Sequence, residues 1–393
     1  MGTKCSNTNL KKRQNIKYGH TIPAVMKTKV LAIVTLLLAV SVVCMVPSDD
    51  SDASLPSIEV KDGFGTEFTF DGPVDKVISI GVGVTATVIG IGALDKIVVC
   101  DSYSKTNSDT LFDPLRELID EGKVAAGGNI YNSGKDQLWN DIVNAAEPST
   151  GTFDREKDVV ILTGSDQYRA NIVPLLEEKG FRNVLQWYDI KSYEDLVDFA
   201  ETISKVCMGN VVPEIDQMKY VKETITSTIA SEGVDTAKAF YVTYSGGSFK
   251  VGNTGSITTS MILAAGGNAI TVDSTQTATT YVANLTKIVE ENPDVVIFVD
   301  NTVVKDAGLM AELRKNVGDD VTLVPLKPIW NNYCLESMDG IWTMATAMYP
   351  DLFEDEVPTI PSEKSNTMLY VGAAVVVVAI IAAVAFLFMR KGN

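Results

Sequence analysis

The side chains best suited to chemistry are aromatic, and they recur where predicted strands end. Tyr103 and Lys105 follow the apolar run Ile97–Cys100, Tyr168 and Arg169 follow Val159–Leu162, and Trp187 and Tyr188 follow Asn183–Gln186. Tyr244 follows Ala239–Thr243, and Trp330, Asn331 and Tyr333 follow Val321–Leu326. Flat rings offer contact area at low entropic cost to a macrocycle or a catecholate. Arg169 suits a carboxylate or an anionic iron complex, and tyrosinate oxygen is a ligand for ferric iron or haem. Thr85 stands just after Gly81-Val82-Gly83, where the backbone can approach a ligand closely and a helix N-terminus offers N–H groups. Asn129 and Tyr131, in the glycine-rich loop Ala125–Gly134, stand behind these. The competing account is that loop aromatics pack against their own loops and that Thr85 only caps its helix.

What is missing narrows the chemistry further. The one histidine, His20, precedes the first apolar segment, so the main domain has none. That removes Ser-His-Asp and Cys-His catalysis and histidine-ligated zinc or haem. The main domain keeps Cys100, Cys207 and Cys334, an odd number without a CxxC pair, so neither a disulfide framework nor a zinc site is expected. With no nucleophile–base pair in view, the chain reads as a non-enzyme without an intrinsic cofactor.

The elements that must place these residues alternate in type. Val77–Ile80, a turn at Gly81–Gly83, a helix closing at Gly90–Gly92 and Ile97–Cys100 make a β-α-β unit, whose ligand sites lie at the strand C-terminal ends. Residues 58–70 alternate around Gly63 and Gly65 as a hairpin does. Helices are predicted over 111–121, 137–146 and 171–179, the last stopped by Gly180. Ser192 with Asp195 makes a capping box that opens a long helical region. It is interrupted near Gly209–Pro213, and its stretch 214–230 reads as a strut between two αβ regions. The second half repeats the alternation, with the stretch from Tyr244 to Ser256 read as a loop and 281–291 as a helix. The fold class is therefore α/β: two Rossmann-like lobes, 58–190 and 237–353, joined by a helical connector at 191–236.

The ends set the topology. Val30–Val46 is a run of 17 residues behind seven Lys/Arg, and no acid precedes Asp49. Residues 1–46 read as a signal peptide, with Met26 a natural start, or as a retained anchor. Cys44 lacks the small preceding residue that lipidation needs. After a linker at 47–57, the domain and a tether at 354–367, Met368–Met389 gives 22 uncharged residues followed by Arg390 and Lys391. That is long enough to span a bilayer, with 390–393 as a cytoplasmic tail. Nine of the 33 Lys/Arg lie outside residues 47–367 and all 50 acids lie inside, giving that part a formal charge of −26. Such a surface repels nucleic acid.

Residues 58–353 resemble the periplasmic-binding-protein family for iron–siderophore complexes, haem and cobalamin. The likeness rests on the hairpin from Val60 to Phe70, the first β-α-β unit through Tyr103, Ser256 with Leu263-Ala-Ala-Gly-Gly-Asn268, Glu291-Asn-Pro-Asp-Val-Val-Ile-Phe, and Tyr349-Pro-Asp-Leu-Phe. The resemblance implies two lobes on a rigid helix, a metal chelate (a ferric siderophore or cobalamin) bound between them, and an ABC permease partner. It also implies a docking glutamate on each lobe. Here the chain reads Val282-Ala-Asn284-Leu-Thr286-Lys, without an acid, and residues 132–140 offer only Asp136. Asn284 instead begins an N-x-T sequon, a glycosylation candidate. The expected function is thus a membrane-anchored extracellular solute-binding protein of an ABC importer, as a cell without an outer membrane requires. The alternative is a surface receptor or adhesion protein that kept the fold.

Overall fold

A computed structural model of the chain describes residues 57–149, 151–188 and 190–360. Two sheets organise them. Ahead of both, β1 (Ile58–Lys61) and β2 (Glu67–Phe70) form the expected antiparallel hairpin. The first sheet holds β3 (Val77–Ile80), β4 (Ile97–Cys100), β5 (Val159–Thr163) and β6 (Asn183–Trp187), all parallel, in the order β4-β3-β5-β6. The second sheet is mixed. In it β7 (Lys238–Ser245) pairs antiparallel with β8 (Ser248–Gly252) and parallel with β9 (Asn268–Ala269). The two-residue β10 (Thr280–Tyr281) extends it beside β8, and β11 (Val296–Val299) and β12 (Thr322–Pro325) extend it in parallel on the other side.

The apolar runs form strands because both faces of each are covered, and the period of two divides their side chains between cores. In β5, Val159 and Ile161 enter a central cluster while Val160 and Leu162 enter an outer one. In β11, Val296 and Phe298 enter that same central cluster, and Ile297 and Val299 enter a second outer one. β7 divides in the same way, Ala239 and Tyr241 inward and Phe240 and Val242 outward. Each sheet therefore has its own outer core, and the two share the central one. The described residues belong to a single compact unit.

Helices carry the central core from one sheet to the other. Gly81 takes the N-cap position of α1 (Val82–Gly90), and Val84, Ala86 and Val88 of this helix lie fully buried. The connector is two helices, with the break at Gly209–Pro213 that the sequence predicts. Ser192 and Asp195 form the capping box of α2 (Tyr193–Met208), which ends at Gly209 with φ 80°. Pro213 then opens α3 (Pro213–Glu232), 20 residues and about 30 Å long. The two run antiparallel: Lys219 reaches Glu201 at 2.7 Å, Lys222 pairs with Glu194, and the Tyr193 hydroxyl donates to the Met218 carbonyl at 3.2 Å. α2 packs on α1 and β1, and α3 packs on α4 (Ser337–Met348).

The two halves also touch directly. A Cβ on Gly83 would lie 2.2 Å from the Asn332 carbonyl oxygen, and one on Gly90 would lie 3.4 Å from Leu335. The Thr87 hydroxyl donates to the Tyr333 carbonyl at 3.1 Å. Across the same boundary the Tyr193 N–H donates to the Ser260 hydroxyl at 2.9 Å.

Two sequence expectations change in the second half. The stretch after Tyr244 is a β-hairpin, because Gly246 and Gly247 adopt the positive φ (61° and 79°) that a tight turn requires. The helix expected over 281–291 is shorter: Tyr281 pairs with Val251 in the sheet, and the Asn284 side chain caps a helix over Leu285–Glu291. Among the described residues no helix is long and apolar enough to cross a membrane. The expected signal segment, the C-terminal span and its cytoplasmic tail lie outside the described residues.

Two outcomes follow for stability. Hydrogen bonds from Lys205 and Lys219 hold the Glu201 carboxyl below its ordinary value of 4.5. Its contribution is therefore present above that value and lost as pH falls through the lowered one. Glu201→Gln should cost up to about 1 kcal/mol in urea unfolding at pH 7, a small figure because the pair is partly solvated, and nothing once the pH lies below the lowered value. An equal cost at both pH values would contradict this. Gly83→Ala improves helix propensity by about 1 kcal/mol yet drives a methyl into the Asn332 backbone. A net loss on the order of 1–3 kcal/mol is expected, and a neutral or stabilised variant would show that the halves do not meet there.

Candidate functional site: a tyrosine cleft at the strand ends

Asp101 ends β4 and organises the local backbone. Its carboxylate accepts from the N–H of Gly81 at 2.6 Å, of Tyr103 at 2.8 Å and of Ser104 at 2.9 Å, and from the Ser104 hydroxyl at 3.2 Å. It thus caps the short helix Ser102–Thr106 and ties the end of β4 to the end of β3. Burial pushes its pKa above the ordinary 3.8, and the four donors oppose that shift. Behind it, the Thr85 hydroxyl lies 2.9 Å from that of Ser79 and accepts from Ser104 at 3.0 Å.

The glycine-rich loop is fastened beside this corner. Ala125 bridges to Val99 at the edge of β4, and the Ser102 N–H donates to the Gly128 carbonyl at 2.6 Å. Gly128 lies so close to the Leu138 backbone that a Cβ would fall 1.9 Å from its nitrogen. The Asn129 side chain accepts from the Tyr131 N–H at 2.9 Å and turns the loop. Tyr131 is thereby placed against two other rings. Its centroid is 5.5 Å from that of Tyr103, at 90° between planes, and 4.4 Å from that of Tyr168, at 73°.

These rings line a cleft of about 450 Å³ at the C-terminal ends of β3, β4 and β5, a size usual for small-molecule sites. Asn332 and Tyr333 of the second half complete the wall. Tyr333 is the only non-glycine among the described residues with positive φ, at 56°. A larger hollow of about 870 Å³ lies between the β1–β2 hairpin and α2. It is walled by charges that pair with each other, such as Lys61 with Glu67 at 2.9 Å and Lys205 with Glu201 at 2.8 Å, and reads as solvated surface.

Of the residues singled out in the sequence, the structure brings together Tyr103, Tyr168 and Tyr333, along with Asn129 and Tyr131 of the glycine-rich loop. The remaining ones go elsewhere. Thr85 is fully buried inside α1, since Gly81 holds the cap position, so it neither caps nor faces the cleft. Lys105 is exposed on the same short helix as Tyr103 but is not part of the cleft wall. Arg169 is buried; it donates to the Gly164 carbonyl and the Gln186 side chain at 2.9 Å each, pairs with Asp166 and lies 4.2 Å from the Phe64 ring. With those partners it is a brace, not a clamp. Trp187 is buried edge-on to Phe199, under Gly63 of the hairpin turn. Tyr188 lies in the larger hollow near Lys191. In the second half, Tyr244 packs on Phe249, Trp330 is buried against Gly340, and Asn331 lies near Tyr241, outside the cleft wall. The Tyr241 hydroxyl donates to Asp300 at 2.7 Å, and burial with that carboxylate pushes its pKa up. Asn284 is exposed and accepts from the Lys287 N–H at 3.1 Å, while the Thr286 hydroxyl donates to the Asn316 carbonyl. The sequence reading passed over Asp101 and Asn332. A carboxylate directly after a buried strand was the available signal for the first.

The helix N-terminus that sequence reasoning offered to a ligand is already engaged. Asp101 takes the Gly81 N–H, and the Asn332 carbonyl lies against Gly83.

No protein-family model matches the chain, and no curated protein matches it by sequence. Solved structures do match in fold. A periplasmic solute-binding protein of Veillonella parvula superposes with a TM-score of 0.54 at 18% identity, covering 79% of this chain and 95% of its own. CeuE of Helicobacter pylori, solved with nickel and histidine, gives 0.53 at 16% identity, covering 75% and 89%. A second Veillonella parvula periplasmic binding protein gives 0.51 at 13% identity, covering 75% and 98%. The chain has the mixed α/β fold of the periplasmic binding proteins.

Proposed function

We propose that the chain is an extracellular solute-binding protein of an ABC-type importer, with lobes over 58–190 and 237–353 joined by 191–236. It captures a metal chelate of the siderophore or corrinoid kind between those lobes. The observation that carries the reading is the convergence of Tyr103, Tyr131, Tyr168 and Tyr333, drawn from both halves, on one cleft at the strand ends. The fold supports it, and CeuE, which shares that fold, was solved holding a small metal complex. The apolar sequence Met368–Met389 supports anchoring by a C-terminal span after export by the N-terminal segment.

A second reading, a surface receptor that does not feed a permease, is favoured by one observation. Where the resemblance implies a docking acid, the surface presents Val282, 63% exposed, and the uncharged cap Asn284.

Calorimetric titration of the full chain with ferric trihydroxamate, cobalamin and haem tests the binding role. Saturable one-to-one binding by one of them is expected, weakened about tenfold or more, or 1.4 kcal/mol, in Tyr168→Ala. Silence of the folded protein across the panel, or binding indifferent to Tyr168→Ala, would contradict the reading. The tryptophans are poor reporters of this binding, because Trp187 and Trp330 are buried away from the cleft wall.

A further inference from the structure

We propose that the cleft selects a ligand by positive charge: it receives a cationic group, and its chelate is a cationic or neutral hydroxamate type, not an anionic catecholate or a haem. The inference rests on the reading above that this cleft holds the ligand, and it deepens it.

Three observations carry it. The first is the aromatic wall. Tyr131 meets Tyr103 and Tyr168 with ring planes at 90° and 73°, so adjacent walls stand roughly at right angles. Tyr333 lines the same space from the second half. Electron-rich faces set around one space attract a cation, and aromatic cages recognise quaternary ammonium groups in this way.

The second is the charge inventory of the wall. Among the described residues that line the cleft, the only charged side chain is Asp101. Three cations lie within two residues of the wall in sequence: Lys105 and Lys191 are not part of it, and the Arg169 guanidinium is held by Gly164, Gln186 and Asp166. The N-terminus of α1, the other feature that would welcome an anion, already carries the Asp101 carboxylate on Gly81 and the Asn332 carbonyl beside Gly83. An incoming anion would find no cationic side chain on the wall, and its one charged neighbour would be the Asp101 carboxylate, already held by the Gly81, Tyr103 and Ser104 donors. A cation meets aromatic rings.

The third is the field around the cleft. The formal charge of −26 over residues 47–367 raises the local concentration of cations and lowers that of anions.

Calorimetry on the full chain at fixed ionic strength tests the proposal with three probes: tetramethylammonium, a monocationic ferric trihydroxamate and a trianionic ferric tricatecholate. The variants are Tyr131→Leu, which removes a ring, and Tyr131→Phe, which keeps it. Tyr131 is 38% exposed, so neither change disturbs a core. The expected result is that the ammonium and the trihydroxamate compete for one site and that the tricatecholate does not displace them. Affinity should drop tenfold or more in Tyr131→Leu and stay within twofold in Tyr131→Phe. Tricatecholate binding as tight as that of the trihydroxamate would overturn the charge inference and leave the chelate reading standing. Ammonium binding without binding of either chelate would uphold the cationic cage and sink the chelate reading. Failure of all three probes, or binding indifferent to Tyr131→Leu, would overturn both.

Discussion

The central hydrophobic core that the two sheets share is the constraint on which the rest depends. Strands β5 and β11 both send alternate side chains into it, and α1, α2, α3 and α4 complete it. Neither sheet can bury its inner face alone. Because α1 lies in this shared layer, its N-terminal end meets Asn332 and Tyr333 without an intervening solvent gap. The cleft is therefore assembled by the same packing that stabilises the molecule. The connector contributes in the same way. It folds back as an antiparallel pair, α2 against α1 and β1 with a hydrogen bond from Tyr193 to Ser260 and α3 against α4, and so adds contacts to the shared layer.

This arrangement explains why the tyrosines meet where they do. Asp101 fixes the ends of β3 and β4 relative to each other through three backbone N–H groups, and it orients Tyr103. The loop that carries Tyr131 runs along the free edge of β4, and Tyr168 descends from the end of β5. Tyr103 and Tyr168 come from the ends of the two strands that flank β3, and the loop along β4 brings Tyr131 against both. Tyr333 arrives only because the second half packs on α1. A buried carboxylate and a set of ring faces in one small space make an environment for positive charge, within a domain whose surface is itself acidic.

Much of the fold is legible in the sequence, for a physical reason. Four-residue runs such as Val77–Ile80 and Val296–Val299 are buried on both faces, so composition alone marks them, and glycine or Asn-Pro punctuates their ends. The site is legible in part. Position after a strand picks out Tyr103, Tyr168 and Tyr333, which line the cleft. The same rule places Trp187 and Trp330 there, and it misleads because their burial depends on distant partners: the Gly63 turn and Phe199 for one, Gly340 for the other. Arg169 is a similar case, since its partners Gln186 and Phe64 become neighbours only in the fold. The hairpin after Tyr244 reads as a loop because its glycines and polar residues dominate the composition. Its Gly246-Gly247 pair is the turn signal that would have corrected the reading.

The measurement that tests the shared core most directly is native-state hydrogen exchange of the full chain under increasing denaturant. If both sheets depend on one core, amides in β3 and β5 and amides in β7 and β11 should converge on a single opening free energy with a common denaturant dependence. Two separate isotherms, with one sheet still protected after the other has opened, would show that each half has a sufficient core of its own. That result would contradict the account of a cleft built by shared packing.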